Sequence, residues 1–177
     1  MRIFGFIVLA LVLGAGPASA WDEYKYPDQN VAIQFPATPQ AMKSTYKSIY
    51  AKALPSMVYS AELEHVIYRL TVVDLGGDVE RASSYLNEAG YELMRLGNVI
   101  FTDFPRVYQD EHSIYGVTLT VDRKDGSRVL SSIYYNKGRL YIPEAAVLPA
   151  RGDKDMTSPS RYVQTIRFPP DNFGRLQ

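Results

Sequence analysis

Between Tyr115 and Val147 the chain alternates apolar and polar residues with two short breaks. No other stretch constrains the fold as tightly. Tyr115, Val117, Leu119 and Val121 fall on one side of an extended segment, with Gly116, Thr118 and Thr120 on the other. That is the two-residue period of a β-strand. Arg123-Lys124-Asp125-Gly126 then turns, and Asp-Gly suits a hairpin because both residues tolerate positive φ. Arg128 to Tyr135 returns, Asn136-Lys137-Gly138 turns again, and Arg139 to Val147 leaves. The spacing predicts a three-strand antiparallel meander.

The remainder reads as further strands and two helices. Tyr24 and Tyr26 share one side of a strand over 21–26, and Pro27-Asp28 turns the chain. Val31, Ile33 and Phe35 alternate with Ala32 and Gln34 as a half-buried strand that Pro36 and Pro39 end. Ala41 to Ala51, polar and carrying Tyr46 and Tyr50, reads as an exposed strand before Pro55. Met57–Leu63 and His65–Leu75 are two more strands, and Asn98–Phe104 another.

After Gly76-Gly77, Asp78 is positioned to cap a helix of about five turns. Its apolar stripe would be Val79, Ala82, Leu86, Ala89 and Leu93, with Gly90 a weak point and Gly97 a C-terminal residue suited to φ > 0. Residues 149–159 read as a polar loop. Ser158-Pro159 reads as a cap followed by proline in the first turn of a short helix that turns Tyr162, Val163 and Ile166 inward. The fold class expected is α+β: a mainly antiparallel sheet of six to eight strands with one long and one short C-terminal helix.

The first twenty residues have a different character. Arg2 precedes an apolar run from Ile3 to Leu13, too short for the roughly 20 residues of a membrane-spanning helix. Gly14, Gly16 and Pro17 break it, and Ala18-Ser19-Ala20 presents small residues at −3 and −1. This is the pattern of a secretory signal peptide cleaved after Ala20, leaving a soluble periplasmic or secreted protein that begins at Trp21. The expected organisation is a signal peptide over 1–20, one α+β domain over 21–168 and a tail over 169–177.

Composition narrows the chemistry. The 177 residues hold no Cys, two His and equal numbers, 19 each, of basic and acidic residues. Loss of Arg2 with the leader tips the balance to acidic by one charge. No basic footprint for nucleic acid or a membrane surface is present. Without Cys there are no thiol nucleophiles, thiolate zinc sites, iron–sulfur clusters or disulfides, so burial alone must hold the fold. No cofactor is implied.

Three features compete as sites. Asp110, Glu111 and His112, with Asp103 nearby, are metal-ligand types, yet consecutive residues converge on one ion only in a shaped loop, and a solvated turn serves as well. His65 beside Glu64 lacks a Gly-x-Ser-x-Gly elbow that would supply a nucleophile. Gly76-Gly77-Asp78 lacks the lysine of a phosphate loop, and a turn accounts for it. The 14 tyrosines against one Trp are the remaining bias. Tyr24, Tyr26, Tyr46, Tyr50 and Tyr59 form a ligand- or partner-binding platform if they share an uncovered sheet face, and core packing otherwise.

Several of these residues together resemble a known group. Trp21, Tyr24 and Tyr26 open the chain after the leader, and Phe35-Pro36 with Pro39 closes an apolar strand. An Asp125-Gly126 hairpin, Arg139-Leu140-Tyr141 and a terminal Arg167-Phe168 follow. The pattern resembles small, uncharacterised exported proteins of alphaproteobacteria. Their fold is similar to the α/β/α sandwich of PsbP, the extrinsic photosystem II protein, and of a yeast Ran-binding import factor. The resemblance implies a non-enzymatic binding or assembly module of the cell envelope, with an envelope or periplasmic protein as partner. Two other readings are a carrier of a small apolar or aromatic ligand, marked by a pocket lined with Tyr and Leu, and a metal-dependent or other hydrolase. Expressed with its leader in an exporting bacterium, the chain should be recovered with Trp21 as its first residue by intact mass and N-terminal sequencing. Recovery of an intact Met1 terminus would refute the leader.

Overall fold

A computed structural model of the chain describes residues 21–51, 53–78, 80–109, 112–149 and 155–169. Residues 1–20 and 170–177, on which the expected leader and most of the expected tail fall, lie outside the described residues. Among the described residues the fold has ten strands and two α-helices: β1 Asp22–Tyr26, β2 Val31–Phe35, β3 Gln40–Tyr46, β4 Leu54–Leu63, β5 Val66–Asp74, α1 Ala82–Met94, β6 Gly97–Asp103, β7 Arg106–Gln109, β8 His112–Arg123, β9 Arg128–Asn136, β10 Arg139–Val147 and α2 Thr157–Gln164. The large sheet runs β3-β4-β5-β10-β9-β8-β6, with β7 paired to β8, and every pairing is antiparallel. The α+β expectation is met in a three-layer sandwich. The β1–β2 hairpin and α2 cover one sheet face, and α1 covers the other.

The meander β8–β9–β10 forms as its alternation predicts. At its second turn Lys137 and Gly138 have φ 47° and 78°, the positive-φ pair of a tight hairpin turn. A second meander, β3–β4–β5, joins it along β5 and β10, where Arg139–Val147 pairs residue by residue with Asp74–Val66. Pro143 sits inside β10, and prolines are costly in central strands because they cannot donate to the ladder. The β9–β10 register skips Ile142 and Pro143. The Ser131 hydroxyl donates to the Pro143 carbonyl at 3.0 Å across the gap.

On the α2 face, β2 is tied to the chain end by a two-way bridge: Ala32 N–H to the Arg167 carbonyl at 2.9 Å, and Arg167 N–H to the Ala32 carbonyl at 2.8 Å. Val31, Ile33, Phe35, Tyr68, Leu70, Tyr141 and Tyr162 are fully buried between hairpin, helix and sheet. Trp21 lies edge-on to Tyr68, centroids 5.4 Å apart, with the Arg161 guanidinium 4.7 Å above its ring. Tyr162 and Ile166 turn inward as expected, with Val163.

Several local readings are corrected. Asp78 does not cap α1: the helix begins at Ala82, the cap position is Arg81, and no side chain caps it. Asp78 instead accepts from the Tyr85 hydroxyl at 3.3 Å and faces Arg81 at 3.6 Å, because its own N–H closes a turn on Leu75 at 3.1 Å. The helix is 13 residues long, and its buried face carries Tyr85 and Glu88 beside Ala89 and Leu93. Val79 lies outside the described residues. The buried Glu88 carboxylate accepts from the Ser48 hydroxyl at 2.6 Å and the Ile49 N–H at 2.5 Å, clamping the β3–β4 loop to α1.

Gly97 opens β6 instead of ending α1 with positive φ. A side chain there would run into the Asp122 carbonyl, so close strand approach is what requires glycine. The α2 helix starts at Thr157, with the Asp155 carboxylate accepting the Thr157 N–H at 2.9 Å, and Pro159 lies inside the helix instead of at its first position. β4 starts three residues earlier than expected, and Pro55 pairs only with Thr45 of β3, where its missing N–H breaks no β5 rung. The exposed strand before it ends at Tyr46 instead of Ala51, and β7 is an added strand that the alternation did not announce. Among the described residues no helix is long and apolar enough to cross a membrane.

Two glycines test this packing with opposite signs. Gly97→Ala should lose about 1–3 kcal/mol to overpacking against Asp122. Gly90→Ala, where an added Cβ meets nothing within 4 Å, should gain up to about 1 kcal/mol from helix propensity. Urea unfolding of both variants measures the difference.

Candidate functional site

The five tyrosines do not form one platform. β4 alternates its side chains, so Tyr59 turns to the α2 face, where Tyr26 stacks on it with ring centroids 3.8 Å apart. Tyr24 lies on the same side, edge-on to Phe35 at 5.9 Å. Tyr46 pairs with Leu54 and turns to the α1 face, and Tyr50 follows in the loop, edge-on to Tyr85 at 5.5 Å. The two-residue period separates the sets to opposite sides of one sheet. Tyr59 is buried and Tyr50 is the most open of the five.

Asp110 and Glu111 lie outside the described residues. His112 is exposed at the start of β8, opposite Gln109. Among the described residues no group of three or more His, Asp or Glu side chains is placed to hold a metal ion. His65 faces Glu64 at 4.0 Å, and its Nδ1 is buried without a hydrogen-bond partner. Gly76 and Gly77, with φ 60° and 82°, form a turn whose Gly76 N–H donates to Asp74 at 2.9 Å. No helix N-terminus is presented there.

Two features that the spacing did not single out remain. The first is an exposed aromatic corner. Phe104 in the β6–β7 link, Tyr108 on β7 and Tyr115 on β8 are 75 %, 66 % and 63 % exposed. β7 pairs with β8 so that Arg106 lies opposite Tyr115, and its guanidinium sits 4.4 Å from the Tyr108 ring centre and 6.0 Å from that of Tyr115. Phe101 and Ile100 on the edge strand β6 are also exposed. The signal was present in the alternation itself, because Tyr115 extends the apolar side of β8 beyond the part that α1 covers.

The second is a groove of about 290 Å³ between α1 and the sheet. Ala89, Leu93 and Leu96 form one wall, and Ile133 and Ile142 the floor. Tyr46, Glu92, Arg69, Thr71, Glu144 and Ser131 line the rest. Arg69 on β5 and Glu144 on β10 are cross-strand neighbours, with a guanidinium nitrogen 3.4 Å from the carboxylate. Arg123 reaches the same Glu144 oxygen at 4.0 Å, and its Nε is buried without a hydrogen-bond partner.

Burial also marks the tyrosines. Desolvation pushes the Tyr46 phenol up to about 12 from its ordinary 10.0, and the Glu88 and Glu92 carboxylates add to it. Burial raises Tyr141 to about 12 against the opposing pull of Arg139. Tyr26 and Tyr162 are also raised, again by burial first. The unfolded chain therefore binds fewer protons than the native state above pH 10, so stability falls as pH rises. The urea midpoint should be level below pH 10 and decline through about 12, and Tyr46→Phe should make that decline shallower.

No protein-family model matches the chain, and no curated protein matches it. Among solved structures it is similar to the solution structure of cyanobacterial PsbP (CyanoP) from Synechocystis sp. PCC 6803, at 14 % identity and a TM-score of 0.52, over 88 % of this chain and 95 % of that one. At that identity the likeness is one of fold, and the fold is PsbP-like.

Proposed function

We propose that this chain is an exported, non-enzymatic binding or assembly module of the cell envelope, which recognises a protein partner through the aromatic corner at β6, β7 and β8. The exposure of Phe104, Tyr108 and Tyr115 around Arg106 carries the reading. Large aromatic side chains and arginine are the residue types that anchor protein interfaces, where their rings supply buried area at little entropic cost. Such a cluster costs solubility unless something covers it. The signal-peptide pattern of residues 1–20 supports a partner in the periplasm or outside the cell.

A second reading, carriage of a small apolar or aromatic ligand, is supported by the groove beneath α1, with Tyr46, Leu93 and Leu96 among its lining residues. For the first reading, a photo-crosslinking residue placed at Phe104 or Tyr115 in the exported protein should yield one discrete protein adduct. The same residue at Lys43, on the opposite edge strand β3, should yield none. Equal labelling from all three positions would sink the aromatic corner as the interface.

A further inference from the structure

We propose that the aromatic edge formed by β6 and β7 is the interface of a symmetric dimer, in which a second copy of this chain pairs antiparallel along it. This rests on the aromatic corner being an interface and names what covers it.

β6 and β7 act as one edge strand. Phe101, Thr102 and Asp103 pair with Thr120, Leu119 and Thr118 of β8, and Arg106 to Gln109 continue against Tyr115 to His112 with the same offset. Between them the Gly116 N–H donates to the Pro105 carbonyl at 3.0 Å, so the register is kept across the link. A register shift at Ile100 separates this run from the start of β6. β6 stands last in the sheet order and β7 pairs with β8, so among the described residues no strand covers the outer side.

Such edges are ordinarily protected by lysine or proline. The opposite edge, β3, has Lys43 at its centre. Residues 97–109 hold no Lys. Their one proline does not block the edge. Pro105 accepts from Gly116, so its backbone faces β8 and its missing N–H lies on the inner side. Successive residues of an antiparallel ladder alternate in direction, so Thr102, Phe104, Arg106 and Tyr108 point their backbone groups outward. The Phe104 N–H is held by the Asp103 carboxylate at 2.8 Å, and among the described residues the other three donors have no ladder partner.

Side chains alternate as well. Phe104, Arg106 and Tyr108 stand with Tyr115 on one side of the sheet, and Phe101 on the other. A partner lying on one face covers one row, whereas a strand laid along the edge touches both. Phe101 is 54 % and Ile100 44 % exposed, beside the three rings already described. Large apolar side chains carry about 150–250 Å² each, so these five expose on the order of 500 Å², more than half of the roughly 800 Å² that each partner of a standard interface buries.

Two properties select a second copy over a foreign segment. The pairing strand must be extended and must have a free edge, and this chain holds one already folded, so little ordering entropy opposes binding. Homodimer interfaces are also the more apolar class, and between Gly97 and Tyr108 only Asp103 and Arg106 are charged. A two-fold axis at Pro105 sets Arg106 opposite Phe104 of the second copy and Tyr108 opposite its Thr102. Each arginine then meets an aromatic ring instead of its symmetry mate, and the axis falls where no outward N–H is needed.

Analytical ultracentrifugation of the protein purified after export tests this. The mass should rise reversibly with concentration from one chain to two. Phe104→Lys and Phe101→Lys, each checked for native circular dichroism, should weaken the dimer roughly thirtyfold, the loss of one anchoring side chain. Met42→Lys on β3 should leave it unchanged. A monomer at every concentration, or a dimer indifferent to both edge lysines, would overturn the proposal. A photo-crosslinking residue at Phe104 separates this from the broader reading. An adduct of twice the chain's mass supports the second copy. An adduct with a different protein overturns the second copy and leaves the aromatic corner standing as an interface, and no adduct overturns both.

Discussion

The pairing of β5 with β10 is the contact on which the rest of the structure depends. It joins two meanders that are each legible as local hairpins, and it makes one sheet from them. Most of its rungs are apolar on both sides, among them Leu140 opposite Val73, Tyr141 opposite Val72, Ala146 opposite Ile67 and Val147 opposite Val66. These side chains feed the α2-face core and the α1-face core together. With no disulfide available, burial along this seam carries the stabilisation that a cross-link supplies elsewhere.

The same seam creates the groove. Pro143 removes one donor from β10, the β9 ladder opens there, and the Ser131 hydroxyl donates to the buried Pro143 carbonyl. The next residue, Glu144, stands at the edge of that irregularity between two arginines from different strands. Arg69, Arg123, Ser131 and Glu144 are far apart along the chain and share no motif. A sequence scan for metal or phosphate patterns passes over them, since antiparallel register alone brings them to one place.

The aromatic residues divide in the same way. That Tyr24, Tyr26 and Tyr59 belong to strands is readable from their spacing, and so is their alternation. Which side of the sheet each strand turns toward α2 depends on register with neighbours contributed by distant segments. Tyr46 and Tyr59 therefore end on opposite faces, while Tyr115, read as the start of a core stripe, stands open beyond the helix. Glu88 is a further case: a charged residue on a helix is ordinarily solvated, but here it is buried because the β3–β4 loop brings a hydroxyl and an N–H to it.

By itself the sequence determined the α+β class, the β8–β9–β10 meander with its two turns, the existence of both helices and the inward side of α2. These follow from local steric preference and from hydrophobic period, which act over a few residues. The tertiary structure decided the strand order, the side of the sheet that each tyrosine faces, the true start of α1 and the charged groove beneath it. Those depend on pairing between segments separated by tens of residues, where the free energy of burying a shared surface outweighs the local preference of any one of them.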